Sequence, residues 1–97
     1  MTPLDPVRLR TLLPTLPGWR LDGDALERTY RFPSFRDALA FMQDCAEDIE
    51  RLDHHPQWTN VYDRVTVRLT THDAGDHVTT LDIELAKTLD WVAGRFL

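Results

Sequence analysis

The stretch Pro33–Pro56, PSFRDALAFMQDCAEDIERLDHHP, decides the fold because its apolar residues recur at intervals of three and four. This spacing is typical of one face of a long amphipathic helix, whereas a half-buried strand alternates apolar and polar residues. The predicted apolar face consists of Phe35, Ala38, Leu39, Met42, Cys45, Ala46, Ile49 and Leu52. Such a face has to be buried against another element, so we expect the segments on either side to supply one.

Local signals mark the two ends of this helix. Ser34, followed by Asp37 three residues later, is typical of a capping box at a helix start. Pro56 disfavours helical geometry in the residue before it, so we expect the helix to end near His54. Its C-terminal end therefore carries the Asp-His-His group of residues 53–55.

Before the long helix, the sequence predicts a short helix and a hairpin. Asp5 suits an N-cap and Pro6 a first helical position, which predicts a short helix over Pro6–Leu13 that the following prolines end. Two β-type runs then flank Gly23, and this pattern predicts two antiparallel strands with a turn at that glycine. In the second run, one face consists of Leu26, Arg28, Tyr30 and Phe32.

After the long helix, β-type residues return and a final helix follows. Residues 58–71 form either one strand or a hairpin with a turn at Asp63–Arg64, and the pattern leaves both open. Thr79 with Asp82 predicts the start of the last helix. Its expected buried stripe is Leu81, Leu85, Leu89, Val92 and Phe96. The order α-β-β-α-β-(β)-α predicts one α+β domain over residues 1–97, with an antiparallel sheet and helices packed on one face.

Composition argues against several classes of protein. The 97 residues carry a formal charge of −5 without any run of Lys and Arg, which opposes binding to nucleic acid or anionic lipid. No stretch approaches the roughly 20 apolar residues of a membrane span, and the N-terminal segment lacks the apolar centre of a secretory signal. Cys45 is the only cysteine, so we expect a buried thiol and a cytoplasmic protein. A chain this small gains stability by self-association.

Three of the four histidines can meet at one edge of such a fold. His54 and His55 lie at the end of the long helix, and His72 follows the next strand region. Imidazole both accepts and donates a proton near neutral pH, which suits general acid and base catalysis. Glu50 lies four residues before His54, so on a helix the two share a face and the carboxylate can orient the imidazole.

Each of these residues also has a purely structural interpretation. Histidines at a helix C-terminus often serve as caps, and His77 in the following loop is expected to face solvent. Three histidines could bind zinc, although their spacing resembles no common zinc motif. Asp82 is what a capping box predicts. Trp19 and Trp58 are either core aromatics or a flat wall for a planar heterocycle.

The spacing of the motif residues resembles the signature of the pterin-4a-carbinolamine dehydratase family. It is Glu50-x3-His54-His55-Pro56-x5-Tyr62-x9-His72-x9-Asp82. The similarity covers nearly the whole chain, through Gly18-Trp19, Arg28-x3-Phe32, Phe41-Met42, Trp58-x-Asn60-Val61-Tyr62, Thr71-His72-Asp73 and Asp82-x2-Leu85-Ala86. One departure is the loop after Gly75, where Asp76-His77 replaces the second glycine that family members commonly have and the loop is one residue longer.

The resemblance implies a four-stranded antiparallel sheet with three helices on one side, assembled as a homodimer or homotetramer. The implied reaction is the loss of water from 4a-hydroxytetrahydrobiopterin to give the quinonoid dihydropterin, without a metal or other cofactor. This step belongs to the regeneration of tetrahydrobiopterin. An alternative that stays open is a protein-assembly module on the same fold, since family members also act as dimerisation partners for other proteins.

The resemblance also implies roles for individual residues. His54, His55 and His72 correspond to the catalytic histidines. We expect His54 and His72 to transfer protons, His55 to position the pterin and Glu50 to tune His54. The expected substrate-binding residues are Glu50, Asp53, Thr71, Asp73, Trp19 and Asp82.

Overall fold

The computed structural model describes residues 1–97 and contains three α-helices and four strands. In chain order they are α1 (Pro6–Leu12), β1 (Arg20–Asp22), β2 (Ala25–Arg31), α2 (Phe35–Leu52), β3 (Gln57–Val61), β4 (Arg64–Leu69) and α3 (Thr80–Ala93). Single 3₁₀ turns follow α1, at Leu13–Thr15, and β4, at His72–Ala74. This order confirms the predicted α+β class.

The strands form one antiparallel sheet in the order β1-β2-β4-β3. The region that the sequence left open is therefore a hairpin, with Trp58 of β3 paired to Val67 of β4. Its turn is at Tyr62–Asp63, where Tyr62 adopts a left-handed conformation with φ of 52°. The predicted turn at Asp63–Arg64 was one residue too late. Because β1 and β3 lie at the ends of the order, they are the two edge strands.

The helices cover one face of the sheet, and the opposite face is polar. The covered face carries alternate strand residues, all buried, namely Leu26, Tyr30, Val65, Val67 and Leu69. Against it α2 packs Ala38, Phe41, Cys45 and Ile49, and α3 packs chiefly Leu85, Ala86, Leu89 and Val92. On the opposite face, a row of threonines, Thr29, Thr66 and Thr59, crosses three strands. The alternation in β2 therefore buries the predicted face.

The buried face of α2 differs from the predicted stripe. Phe41, which the prediction omitted, is fully buried, whereas Phe35 and Leu39 are 44% and 45% exposed. The apolar residues of α2 cover two adjacent faces, and the chain itself buries only the face that contains Ala38 and Phe41. Periodicity locates such a helix but does not tell which of two adjacent apolar faces meets the sheet.

The helix starts follow the predicted signals. Asp5, Ser34 and Thr79 each accept a backbone N–H from the first turn of the helix that they precede. At α3 the Asp82 carboxylate also accepts the N–H of Thr79 at 2.8 Å, which completes the capping box. None of the helices combines the length and the apolar character needed to cross a membrane.

α2 ends two residues before the predicted position. Its last residue is Leu52, and Asp53 then adopts a left-handed conformation with φ of 49°, with its N–H bonded to carbonyls of the last turn. This is a common way for a helix to end. The chain therefore changes direction before His54, and the residues of the Asp-His-His group no longer follow helical geometry.

Candidate active site

A cavity of about 310 Å³ lies where the C-terminal end of α2 meets the end of β4. Its lining includes Asp53, His54, His55, Thr71, His72 and Asp73. The left-handed turn at the end of α2 brings the two adjacent histidines here, and the 3₁₀ turn after β4 brings the third. The structure thus brings together the three imidazoles that the sequence predicted to converge.

His54 is held by a buried carboxylate. Its Nε2 lies 2.6 Å from Oδ1 of Asp82, which has no exposed surface, and His54 itself is only 8% exposed. A carboxylate only accepts hydrogen bonds, so Nε2 of His54 carries the hydrogen and donates a hydrogen bond to Oδ1 of Asp82. The other ring nitrogen, Nδ1, is then the nitrogen of His54 that carries the free electron pair.

Two threonines complete the hydrogen bonds around Asp82. Oδ2 of Asp82 accepts the Thr71 hydroxyl and the Thr79 N–H, each at 2.8 Å. The two hydroxyls are 2.7 Å apart, so Thr79 donates to Thr71 and accepts the Leu81 N–H. No buried side-chain polar atom lacks a partner, and satisfied buried networks of this kind are rigid. The sequence marked Thr79 as a cap but gave no signal for its contact with Thr71.

Glu50 does not contact His54, and the prediction that it tunes this histidine was wrong. Its Oε1 lies 3.5 Å from Nε2 of His55 instead. The prediction assumed that the helix continues to His54, but the left-handed residue Asp53 interrupts the spacing of four on which the contact depends. Both Glu50 and His55 are largely exposed, so this contact is weak.

A second cavity of about 200 Å³ adjoins the first one at His55, which lines both. Its walls are more apolar and include Ile49, Pro56 and Trp58, with Glu50 at its edge. Trp58 is half-buried and packs near Phe41, with ring centroids 6.5 Å apart. Of the two tryptophans considered from the sequence, this one offers a flat wall beside the histidines.

Trp19 lies away from the histidines. It is 6% exposed, packs in the core, and donates its Nε1–H to the carboxylate of Asp90. Asp82 does not line the cavity either, because it lies behind His54. Of the expected substrate-binding residues, Asp53, Thr71 and Asp73 line the histidine cavity.

His72 and His77 lie on the loop between β4 and α3. His72 is 92% exposed, and its Nδ1 lies 3.1 Å from Oδ1 of Asp76. His77 is half-exposed, as expected, and its Nδ1 is 3.7 Å from Oδ1 of Asp24 in the β1–β2 turn. His77 lines neither histidine cavity. The loop therefore presents one imidazole to the cavity and another to the hairpin.

The largest groove on the surface lies elsewhere. It has a volume of about 480 Å³ and runs between α2 and α3, with Arg51, Lys87 and Trp91 among its lining residues. Its lining contains acidic and basic side chains but no histidine. No group of three His, Cys, Asp or Glu side chains is arranged to hold a metal ion.

Comparison with known proteins assigns the chain to a family. The sequence profile described as pterin 4 alpha carbinolamine dehydratase matches residues 2–92. The chain belongs to this family. The match includes the three histidines of the cavity and all seven helices and strands, except for Ala93 at the end of α3.

Proteins of similar sequence agree with this assignment. A protein from Opitutus terrae with the provisional name pterin-4-alpha-carbinolamine dehydratase is 54% identical over 85 residues, which are 88% of each chain. A protein from Thermomicrobium roseum with the same provisional name is 48% identical, over 92% of this chain and 95% of its own.

Two solved structures share the fold. The crystal structure of a transcriptional coactivator/pterin dehydratase from Brucella melitensis superposes with a TM-score of 0.90 at 40% identity, over 96% of this chain and all of the other. A pterin dehydratase-like protein described as a RuBisCO assembly factor in the alpha-carboxysome has a TM-score of 0.68 at 24% identity, over 79% of this chain and 90% of its own. The second similarity concerns the fold alone.

Proposed function

We propose that this chain is a 4a-hydroxytetrahydrobiopterin dehydratase, a hydro-lyase that acts in tetrahydrobiopterin regeneration. The observation that carries the proposal is the convergence of His54, His55 and His72 on one cavity of about 310 Å³. This volume lies at the lower end of the range for small-molecule sites, about 300–1,000 Å³. Membership of the family and the provisional names of the relatives support the same substrate class.

The reaction is an elimination in which one proton is donated and another is removed. The C4a–O bond breaks as the hydroxyl takes a proton and leaves as water. At the same time N5 loses its proton and the N5=C4a double bond forms. The elimination involves no net oxidation or reduction. Positioned acids and bases typically accelerate such proton transfers by about 10²–10⁴-fold.

His54 and His72 are the proposed proton-transfer groups, and His55 positions the pterin. Asp82 fixes the orientation of His54 and leaves Nδ1 as its working nitrogen. His55 lies between the two cavities, next to the flat wall that Trp58 provides for a heterocyclic ring. A pterin held beside His55 would share the cavity with both proton-transfer imidazoles.

The test is the disappearance of 4a-hydroxytetrahydrobiopterin, generated in situ by an aromatic amino-acid hydroxylase. We expect wild type to accelerate the dehydration, and His54→Ala and His72→Ala to slow it by about 10²-fold or more. Because His54→Ala leaves the buried Asp82 without a partner, His54→Gln serves as a second variant that keeps a donor near it.

His77→Ala is the matched control, because it removes an imidazole from the same loop that lines neither histidine cavity. It should retain wild-type turnover. A folded wild-type protein that does not accelerate the reaction over buffer would contradict the enzymatic proposal. That outcome would leave the alternative function, a protein-assembly module on the same fold.

Self-association is part of the proposal. The surface that would support it is the uncovered apolar face of α2, which contains Phe35 and Leu39. Apolar surface that the chain itself leaves uncovered is typical of contacts between protein molecules. The proposed assembly is a homodimer or homotetramer.

A further inference from the structure

The loop between β4 and α3 holds a carboxylate beside the exposed histidine of the cavity. Oδ1 of Asp76 lies 3.1 Å from Nδ1 of His72, a hydrogen-bonding distance. A carboxylate only accepts hydrogen bonds, and a neutral imidazole donates from one nitrogen and accepts at the other. The contact therefore selects the form of His72 that carries its proton on Nδ1 and has a free electron pair on Nε2.

We propose that Asp76 is a positioning residue that holds His72 as the proton acceptor of the dehydration. The inference rests on the proposed function, because it assigns the base within that reaction. Asp76 accepts the Nδ1–H of His72, so Nε2 is left to take the proton from N5 of the pterin. In His54 the roles of the two ring nitrogens are reversed, because Nε2 donates to Asp82 and Nδ1 has the free electron pair. The two imidazoles thus present different ring nitrogens to one substrate.

The backbone of the loop determines where the Asp76 carboxylate lies. Asp76 has a φ of 61°, in the left-handed region, and its N–H bonds to the Thr71 carbonyl at 3.0 Å. The N–H of Thr71 bonds in turn to the His77 carbonyl at 2.9 Å, which closes the loop. A left-handed conformation is uncommon for a residue other than glycine, although Asp and Asn adopt it more readily than most. The loop thus has a carboxylate at a position where glycine would fit most easily.

The expected effect of Asp76 is modest because both side chains are exposed. Asp76 is 69% and His72 92% exposed, and contacts between exposed polar side chains contribute little free energy. Loss of Asp76 should therefore slow turnover by about two- to fivefold, far less than loss of His72 itself. The contribution is one of orientation rather than of proton transfer.

The variants distinguish the effect of the Asp76 carboxylate from the effect of the loop's backbone conformation. Asp76→Gly removes the acceptor at a position where glycine adopts the conformation freely, so the loop should keep its shape. Asp76→Asn keeps an acceptor oxygen and tolerates the same conformation. Asp24→Asn is the control, because it removes the carboxylate beside His77, in the same region, and leaves Asp76 untouched.

The experiment reads the ¹⁵N signals of the His72 ring in the neutral state, together with kcat and KM for 4a-hydroxytetrahydrobiopterin. We expect the Nδ1–H form in wild type, Asp76→Asn and Asp24→Asn, and a shift away from it in Asp76→Gly. For Asp76→Gly, kcat should fall about two- to fivefold with little change in KM, and Asp76→Asn should restore most of it. Ring signals of His72 that are the same in wild type and Asp76→Gly would overturn the proposal. A wild type without activity would refute the dehydratase function, while the ring signals would still decide whether Asp76 orients His72.

Discussion

At the scale of single residues, the Asp82 carboxylate has two roles. It caps the N-terminus of α3 and it accepts a hydrogen bond from His54. Oδ2 accepts the Thr79 N–H at the start of α3, and Oδ1 accepts from His54. The sequence predicted the cap because a capping box is a local signal over four residues. It could not predict the contact with His54, because the two residues are 28 positions apart and meet only in the folded chain.

Glu50 shows the opposite error, a contact that was predicted but that the structure does not contain. A spacing of four residues predicts contact only while both residues are helical. Here the left-handed Asp53 intervenes, so Glu50 approaches His55 and His54 turns towards Asp82. Local spacing was sufficient to find the histidines but not to find their partners.

Asp82→Asn should impair both catalysis and stability. The amide cannot accept from His54 and Thr79 as an ionised carboxylate does, so we expect turnover to fall by about 10²-fold and the free energy of unfolding by about 1–3 kcal/mol. Turnover of 4a-hydroxytetrahydrobiopterin and urea unfolding measure the two effects. Asp37→Asn is the control, because Asp37 is also the third residue of a helix but has no histidine partner. Equal turnover in Asp82→Asn and wild type would refute the role assigned to Asp82.

Ionisation of the Cys45 thiol should lower the free energy of unfolding at alkaline pH. Burial, with smaller contributions from Asp48 and Asp44, raises the pKa of the Cys45 thiol from 9.0 to about 12. Between these values the thiol ionises in the unfolded chain only, so the free energy of unfolding should fall as pH rises, by up to about 1.4 kcal/mol per pH unit. Urea unfolding at a series of alkaline pH values measures this slope.

Cys45→Ala should be less stable than wild type but have a shallower slope, because it has no thiol to ionise. Ile49→Val is the matched control, since it changes a buried neighbour on the same face of α2 without removing a titrating group. It should lose about 0.5–1.5 kcal/mol and keep the wild-type slope. The same slope in Cys45→Ala and wild type would show that other groups cause the alkaline instability.

At the scale of elements, one carboxylate connects α3 to the β1–β2 region. Asp90 accepts from Nε1 of Trp19 at 3.0 Å, from the guanidinium of Arg28 at 2.9 Å and from the hydroxyl of Tyr30. Burial, followed by the hydrogen bond to Asp90, raises the pKa of Tyr30 far above its ordinary value, so the hydroxyl remains a donor. The helix and the hairpin are therefore joined by polar contacts as well as by the core.

Asp90→Ala should destabilise the fold without changing the histidine cavity. It leaves the buried Trp19 N–H and Tyr30 hydroxyl without an acceptor, so we expect a loss of about 2–4 kcal/mol in the free energy of unfolding. Asp48→Ala is the control, because it breaks an exposed pair with Arg51 on α2 and should cost less than about 1 kcal/mol. Losses of similar size in the two variants, measured by urea unfolding, would contradict the importance of the Asp90 contacts.

Elements were predictable to the extent that their signals are local. The bounds of α2 follow from Ser34 and Pro56 to within a few residues, and Gly23 marks the β1–β2 turn. The face of α2 that meets the sheet was not predictable, because its apolar residues cover two adjacent faces and Phe41 competes with Leu39. The hairpin of β3 and β4 stayed open because pairing of strands is decided by the sheet and not by the strand sequence alone.

At the scale of the whole molecule, the surface around Leu39 should be the contact between copies. We expect wild type to behave as a homodimer or homotetramer in size-exclusion chromatography with light scattering. Leu39→Glu places a charge within the uncovered apolar face of α2 and should shift the protein towards the monomer. Trp91→Glu is the control, because Trp91 is 74% exposed on α3 but lies in the groove away from that face. A Leu39→Glu protein with the same oligomeric state as wild type would show that this surface is not the contact between copies.

The histidine cavity is itself a property of the whole molecule. Its imidazoles come from the end of α2 and from the loop after β4, and the antiparallel pairing of β3 with β4 determines that these two ends meet. The sequence motif named the three histidines that line the cavity, while the contacts of His54 with Asp82 and of His72 with Asp76 depend on packing and on the conformation of a loop. Under the proposed function, turnover should therefore depend on His54 and His72 together.

The most direct measurement is a double-mutant cycle of His54→Ala and His72→Ala, read as the rate of loss of 4a-hydroxytetrahydrobiopterin. Groups that act together on one substrate lose most of their benefit when either one is removed. We expect clear acceleration by wild type, a large loss in each single variant, and a loss in the double variant that is far smaller than the product of the single losses. A wild type that does not exceed the rate in buffer, or single losses that multiply in full, would contradict the joint action of the two imidazoles.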